Sequence, residues 1–232
     1  MFDLRYLFTV SFLFLLVFAK AQAPADENSF AINGWTSFSK DDNHFGVIEL
    51  AHEWKPIPYL GFDLGGGFGW LGGNDLQTTS VASGSNLKLY SREINGSFQL
   101  ARAKITAYLP LWRDDDYVTR IQGFVAVKGG LVSAISTVGK LEFFETNQAV
   151  EASSENKGHF FHGFEFGVWG NFSNHWAMKL YLGNSNIPFG DAVKELNAEV
   201  GNFPIHFDSS ITNAYVGFSL IYTYRLRRKT QL

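Results

Sequence analysis

Large apolar side chains return at every second position in several stretches of this 232-residue chain. In residues 44–54, Ile48, Leu50 and Trp54 share one face against Glu49 and Glu53 on the other. In residues 59–71, Phe62, Leu64, Phe68 and Trp70 oppose Gly61, Asp63, Gly65, Gly67 and Gly69. Residues 159–170 set Phe160, Phe164, Phe166 and Val168 against Gly163, Glu165 and Gly167, and residues 176–184 alternate Trp176, Met178, Leu180 and Leu182 with Ala177, Lys179, Tyr181 and Gly183. Residues 214–226 carry a further such run: Val216, Phe218, Leu220, Tyr222, Tyr224 and Leu226 lie opposite Gly217, Ser219, Thr223 and Arg225, with Ile221 out of step. A period of two predicts β-strands.

Between these runs the pattern is less regular. Residues 30–40 read as a first strand and residues 55–58, with two prolines, as the end of the second. Residues 72–86, rich in Gly, Ser, Thr and Asn, read as a long loop. In residues 87–100 the apolar set Tyr90, Ile94, Phe98 and Leu100 is even-numbered and faces Ser91, Glu93, Asn95, Ser97 and Gln99; beyond Arg102 the apolar set Ile105, Ala107, Leu109 and Leu111 is odd-numbered. Such a switch predicts a turn at 101–103, because a slip of one residue sends every side chain to the other face. Further turns are expected at 113–116, 129–130 and 171–174, a strand at 117–128, a weak one at 131–146, and a polar loop at 146–158. Residues 185–213 form the longest connection, in which Asp191 can cap a short helix over 192–200. The expected fold is all-β, a transmembrane up-and-down antiparallel β-barrel of eight to ten strands, an even number, with one short helix in the last long loop.

The N-terminus adds a destination. Arg5, an apolar core over 6–19 and the Ala19-Lys20-Ala21 triplet form a signal peptide, residues 1–21. A periplasmic leader (22–29), the barrel (30–226) and a basic tail (227–232) complete the expected organisation. No other stretch approaches the run of roughly 18 apolar residues that a spanning helix needs. The absence of cysteine removes both a lipid-attachment thiol and disulfides. Aromatic residues at 16% with 23 glycines suit strands that pack rings on one face and need small residues on the other. A formal net charge of -3, with no concentration of Lys and Arg on one face, argues against nucleic acid.

Parity assigns an interior. Phe164, Trp176, Leu180, Phe218 and Tyr222 would face lipid. Glu49, Glu53, Asp63, Glu93, Lys104, Arg120, Lys128, Glu165, Lys179 and Arg225 would face inward. Charges of both signs inside so narrow a barrel predict an ion-paired plug in place of an aqueous channel. Periodicity alone leaves one rival, a soluble lipocalin-like barrel with Phe164, Trp176, Leu180 and Phe218 turned inward around an apolar ligand.

The segments GFEFGVWG (163–170), NFSNHW (171–176), KLYLGNSNI (179–187) and AYVGFSLIYTYRL (214–226) resemble the small outer-membrane β-barrel proteins, porin-family or OmpA-like barrels of the Bacteroidetes type. Gly217, Leu220 and Tyr222 resemble the terminal-strand signal read by the barrel assembly machinery, although residues 227–232 continue where many relatives stop. The resemblance implies residence in the cell outer membrane, contact with its lipids and lipopolysaccharide, a monomer, no cofactor and no metal. It also brings enzyme barrels into view. Ser185-Asn186 resembles a lipid A deacylase site, but Gly183 stands where the activating His belongs. Asp114 and Asp116 with His206 and Asp208 are similar to the omptin protease acids, with the His-Asp order reversed. The acidic turns at 41–43 and 114–116 match no calcium loop. The reading is therefore a non-enzymatic barrel, with the loops 72–86, 146–158 and 185–213 as places to recognise an extracellular ligand.

Overall fold

The computed structural model describes residues 27–37, 44–80, 87–113, 119–143, 148–194, 196–200, 203–206 and 213–225. The signal segment, most of the leader, the basic tail and the acidic turns at 41–43 and 114–116 lie outside them. Twelve strands and one helix follow in order: β1 (Glu27–Ser37), β2 (His44–Ile57), β3 (Leu60–Ser80), β4 (Leu87–Arg113), β5 (Thr119–Val132), β6 (Ser136–Phe143), β7 (Gln148–Glu155), β8 (His159–Asn171), β9 (Trp176–Ser185), α1 (Phe189–Lys194), β10 (Asn197–Val200), β11 (Phe203–His206) and β12 (Ala214–Arg225).

Eight of these strands close a barrel. The order β3-β2-β1-β12-β9-β8-β5-β4 is antiparallel throughout, and pairing of β3 with β4 completes the ring. Closure removes the exposed sheet edges that lipid would leave unpaired. The remaining hairpin, β6–β7, adds no stave. The upper part of β4, Tyr90 to Ser97, pairs with β6, whereas its lower part, from Leu100 on, pairs with β5. Both counts expected from sequence thus have a place: eight strands close, and two extend the sheet beyond the rim.

The two ends of the barrel differ. Glu27 pairs with both Arg225 and Lys55, so the start of β1 and the ends of β12 and β2 share one end with the turn at 171–175. The other end carries the long β3–β4 ribbon, the β6–β7 hairpin, α1 and the small β10–β11 ladder.

Several expected breaks are absent. β4 runs unbroken for 27 residues, with no turn at 101–103. Residues 72–80 continue β3 and residues 129–130 lie inside β5. Much of the expected loop at 146–158 is β7. The helix starts earlier and is shorter than expected, opening just after Pro188, whose fixed backbone suits a first turn.

Large apolar side chains cover the outside of the lower barrel. Leu50, Leu64, Val125, Phe164, Leu180 and Phe218 all point outward and are exposed. This belt is what a bilayer-spanning barrel needs, and it overturns the lipocalin-like alternative, which requires Phe164, Trp176, Leu180 and Phe218 inside.

Candidate functional site in the lumen

The inward positions of the lower barrel carry charge. Among the described residues, the carboxylates of Glu49, Glu53, Asp63 and Glu165 and the cations of Lys55, Arg102, Lys104, Lys128 and Lys179 are all buried. Each lies on the inner parity of its strand, and the ring brings together residues up to 126 positions apart.

Arg102 is the hub. Its Nε donates to both Glu49 oxygens at 3.1 and 3.0 Å, and another guanidinium nitrogen lies 2.9 Å from Glu49 Oε2. Its third nitrogen donates to Asp63 Oδ1 at 2.6 Å. A planar guanidinium is suited to holding two carboxylates in one plane. Lys104 continues the chain, 3.1 Å from Glu165 Oε2 and 3.7 Å from Asp63 Oδ2. Glu165 Oε1 accepts from Tyr215 at 3.0 Å and lies 3.1 Å from Lys128 Nζ, which also sits 4.1 Å from the Trp35 ring centre.

A second cluster lies toward the end that holds the termini. Lys179 Nζ donates to Glu53 Oε2 at 3.3 Å and to Tyr108 Oη at 2.7 Å, and Tyr108 Oη donates to Glu53 Oε1. Lys55 lies 3.9 Å from Glu53 and 4.1 Å from the ring centres of both Tyr108 and Trp169. These cation–π contacts stabilise an ammonium group that has left water. Glycine makes room for the rings. Tyr181 lies opposite Gly217 and Tyr215 opposite Gly183, and a Cβ on either glycine would sit within 2.3 Å of a ring carbon.

Above the charges the interior turns apolar. Phe45, Val47, Leu71, Ile94, Phe98, Leu100, Val132 and Phe161 point inward from the strands, Ile135 is buried in the connection after β5, and Ile187, Phe189, Ala192, Val193 and Leu196 descend on them from the last long connection. Phe189 stacks on Phe45 with ring centres 4.2 Å apart and meets Phe98 at 5.2 Å. Thr137 Oγ1 donates to the Ala192 carbonyl at 3.3 Å, and Asn186 bonds the His162 backbone in both directions, at 3.0 and 2.6 Å. The segment around α1 is therefore packed against the inward apolar side chains and tied to β6 and β8.

The structure places Glu49, Glu53, Asp63, Lys104, Lys128, Glu165 and Lys179 together in the lumen. Glu93 is a correction: it is exposed on the outer face of β4, where Asn95 Nδ2 donates to it at 2.7 Å. Its stretch of β4 stands above the apolar belt, where the polar side chains turn out to water and Ile94 and Phe98 turn in. The side chains of Arg120 and Arg225 lie outside those described. Phe164, Trp176, Leu180, Phe218 and Tyr222 all face outward and are 41–53% exposed. Two lumen cations escaped the sequence reading. Lys55 falls in the proline break expected at 55–58, yet β2 continues to Ile57 with Lys55 in phase with Glu53. Arg102 falls in the turn expected at 101–103, although its even number, shared with Lys104, is the signal that it faces inward.

Of the enzyme-like nucleophile, acids and histidine, Ser185 is the one whose side chain is described. Ser185 is buried on the inner face of β9, and its Oγ makes no hydrogen bond among the described residues, so no histidine activates it. Asp114, Asp116 and Asp208 and the side chain of His206 lie outside those described. Among the described residues, no group of three His, Asp or Glu is placed to hold a metal ion.

No family model matches the sequence, and no curated protein does. Among solved structures, the neisserial surface protein A aligns at 7% identity with a TM-score of 0.39, covering 88% of this chain and 100% of that one. Outer membrane protein H from P. aeruginosa aligns at 14% identity with a TM-score of 0.38, covering 86% and 100%. Ail, the attachment invasion locus protein of Yersinia pestis, in complex with a heparin analogue, aligns at 10% with a TM-score of 0.37, covering 87% and 100%. At such identities and scores these likenesses decide nothing about this chain. Its own strand register and side-chain faces carry the barrel reading.

Proposed function

We propose that this chain is an integral outer-membrane β-barrel whose lumen does not conduct and whose region beyond the belt makes contacts at the cell surface. The observation that carries the reading is the double filling of the lumen, paired charges below and packed apolar side chains above. A barrel of eight strands has an interior just wide enough for side chains to fill. The nine buried charges partner one another, and a hydrated ion would have to separate them before passing.

The surface role rests on the upper region. β4, β6 and β7 form a sheet beyond the barrel rim whose outer side shows Glu93, Lys140 and Glu151 in one cross-strand row. Such polar, loop-borne surfaces on a rigid scaffold are where binding residues concentrate. On this reading the protein is a non-enzymatic monomer without a cofactor. It contacts membrane lipids and lipopolysaccharide and is inserted by the barrel assembly machinery, after removal of residues 1–21.

Planar-bilayer recording of the purified, heat-modifiable form tests the lumen. Silence across the voltage range is expected, and stable unitary steps would overturn the closed reading. Carbonate washing of membranes tests the location, since release into the soluble fraction would contradict it.

A further inference from the structure

The outer wall of an eight-stranded barrel is convex, yet this one contains a trough of about 760 Å³. It runs across the strands between two rows of outward side chains, one leading from Trp176 through Phe30 to Leu64 and the other from Leu220 to Gly66. Its floor is Ala31, Ala51 and Gly65, which are neighbours in register and keep the wall thin. The trough crosses β9, β12, β1, β2 and β3. Four inter-strand spacings of roughly 4.8 Å make it about 19 Å long, the reach of a long acyl chain.

The trough is inclined in the membrane, and the register shows which end is lower. One row of paired residues passes from Phe218 through Gly34, Ile48 and Phe68 to Gln99, from the apolar belt into the polar region above it. Rows therefore climb from β12 toward β4. The Trp176 end of the trough is the lower one, close to the turn at 171–175 and to the termini. There the His175 ring lies 5.8 Å from the Tyr222 ring, and Trp176 meets Tyr222 edge-on at 5.1 Å. Indole, phenol and imidazole groups with apolar bodies and polar edges suit the headgroup level. At the upper end, Gly66 and the next outward residues on β4, Ala101 and Ala103, leave the path unobstructed.

From this geometry we infer that the trough holds one acyl chain of a phospholipid from the leaflet on the side of the termini, with the headgroup beside His175 and Trp176. The occupant follows from position. The trough lies on the outer wall among the exposed apolar side chains that the bilayer covers, where acyl chains reach it. Lipopolysaccharide would approach from the opposite rim. The inference rests on the membrane reading above.

Native mass spectrometry of the heat-modifiable barrel in detergent, titrated with phosphatidylethanolamine, tests it. The unsubstituted protein is expected to retain one phospholipid. Gly66→Leu, whose side chain would fill the upper end, is expected to lose at least tenfold of that adduct, whereas Val127→Leu on β5 retains it. If Gly66→Leu does not give the heat-modifiable form, Leu220→Trp fills the trough from its other ridge and is read the same way. Equal retention by the filled variant, no retained phospholipid, or retention of lipopolysaccharide in its place would each overturn the inference. A barrel that resists carbonate but carries no lipid fails this inference alone. Release by carbonate fails the membrane reading beneath it.

Discussion

The lower and upper halves of this molecule are built from the same strands with opposite insides. Below, Ile105 faces out, 48% exposed, while its neighbour Lys104 is 4% exposed in the lumen. A few residues earlier on the same strand, Gln99 faces out and Phe98 is 3% exposed inside. From Ile94 to Leu109 the parity of β4 does not change. What changes is the medium outside: hydrocarbon around the lower half rewards apolar exteriors and forces polar groups to pair within, and water around the upper half restores the arrangement of a soluble protein. Alternation identifies two faces, and the surroundings decide which is the inside.

Breaking the charged half should cost most. Arg102→Leu removes the guanidinium that pairs Glu49 and leaves Asp63 with Lys104 at 3.7 Å, and disrupting one buried pair costs about 3–5 kcal/mol. We expect loss of the heat-modifiable form, or a sharp fall in the urea midpoint measured in detergent. Phe189→Ala attacks the other half at about 3–5 kcal/mol, but locally. Hydrogen exchange should rise around α1 and the tops of β2 and β4, and the lower strands should keep their protection. Because the charged layer remains, planar bilayers should stay silent with this variant too.

A substitution pair on one strand sharpens the contrast. Ile105→Arg places a charge in the belt and should cost roughly 2–4 kcal/mol if it lies near the midplane. Gln99→Arg, six residues earlier on the same outer face, should stay within about 0.5 kcal/mol. Equal costs would refute the two-medium account. The smallest effect is expected at Lys140, half-exposed on β6 and paired with Glu142. Lys140→Gln should leave the unfolding midpoint unchanged, as pairs in water are screened and weak.

Much of the lower barrel was legible because its pattern is local. Trp176 to Leu182 declares its two faces without help from other strands, and Glu53, Glu165 and Lys179 fall on the inner one by parity alone. The upper half was misread for a physical reason. Ile94 and Phe98 obey the same alternation as Ile105, but an apolar residue carries no mark of whether it meets lipid or other apolar side chains. From sequence the reversal on β4 reads as a turn, which hides Arg102 and misplaces Glu93. Residues 146–158 read as loop because β7 carries no large apolar side chain beyond Val150, and only its pairing with β6 makes it a strand.

The sequence by itself determined the strand character of the chain, the two faces of its lower staves and the presence of inward charges of both signs, since each depends on side chains two residues apart. Only the tertiary structure decided that eight of the described strands close and four do not, that Arg102 joins Glu49 to Asp63, and that Phe189 packs on Phe45 and Phe98. Each of those depends on contacts between positions tens of residues apart, and on which solvent lies on the far side of the wall. No local pattern contains either.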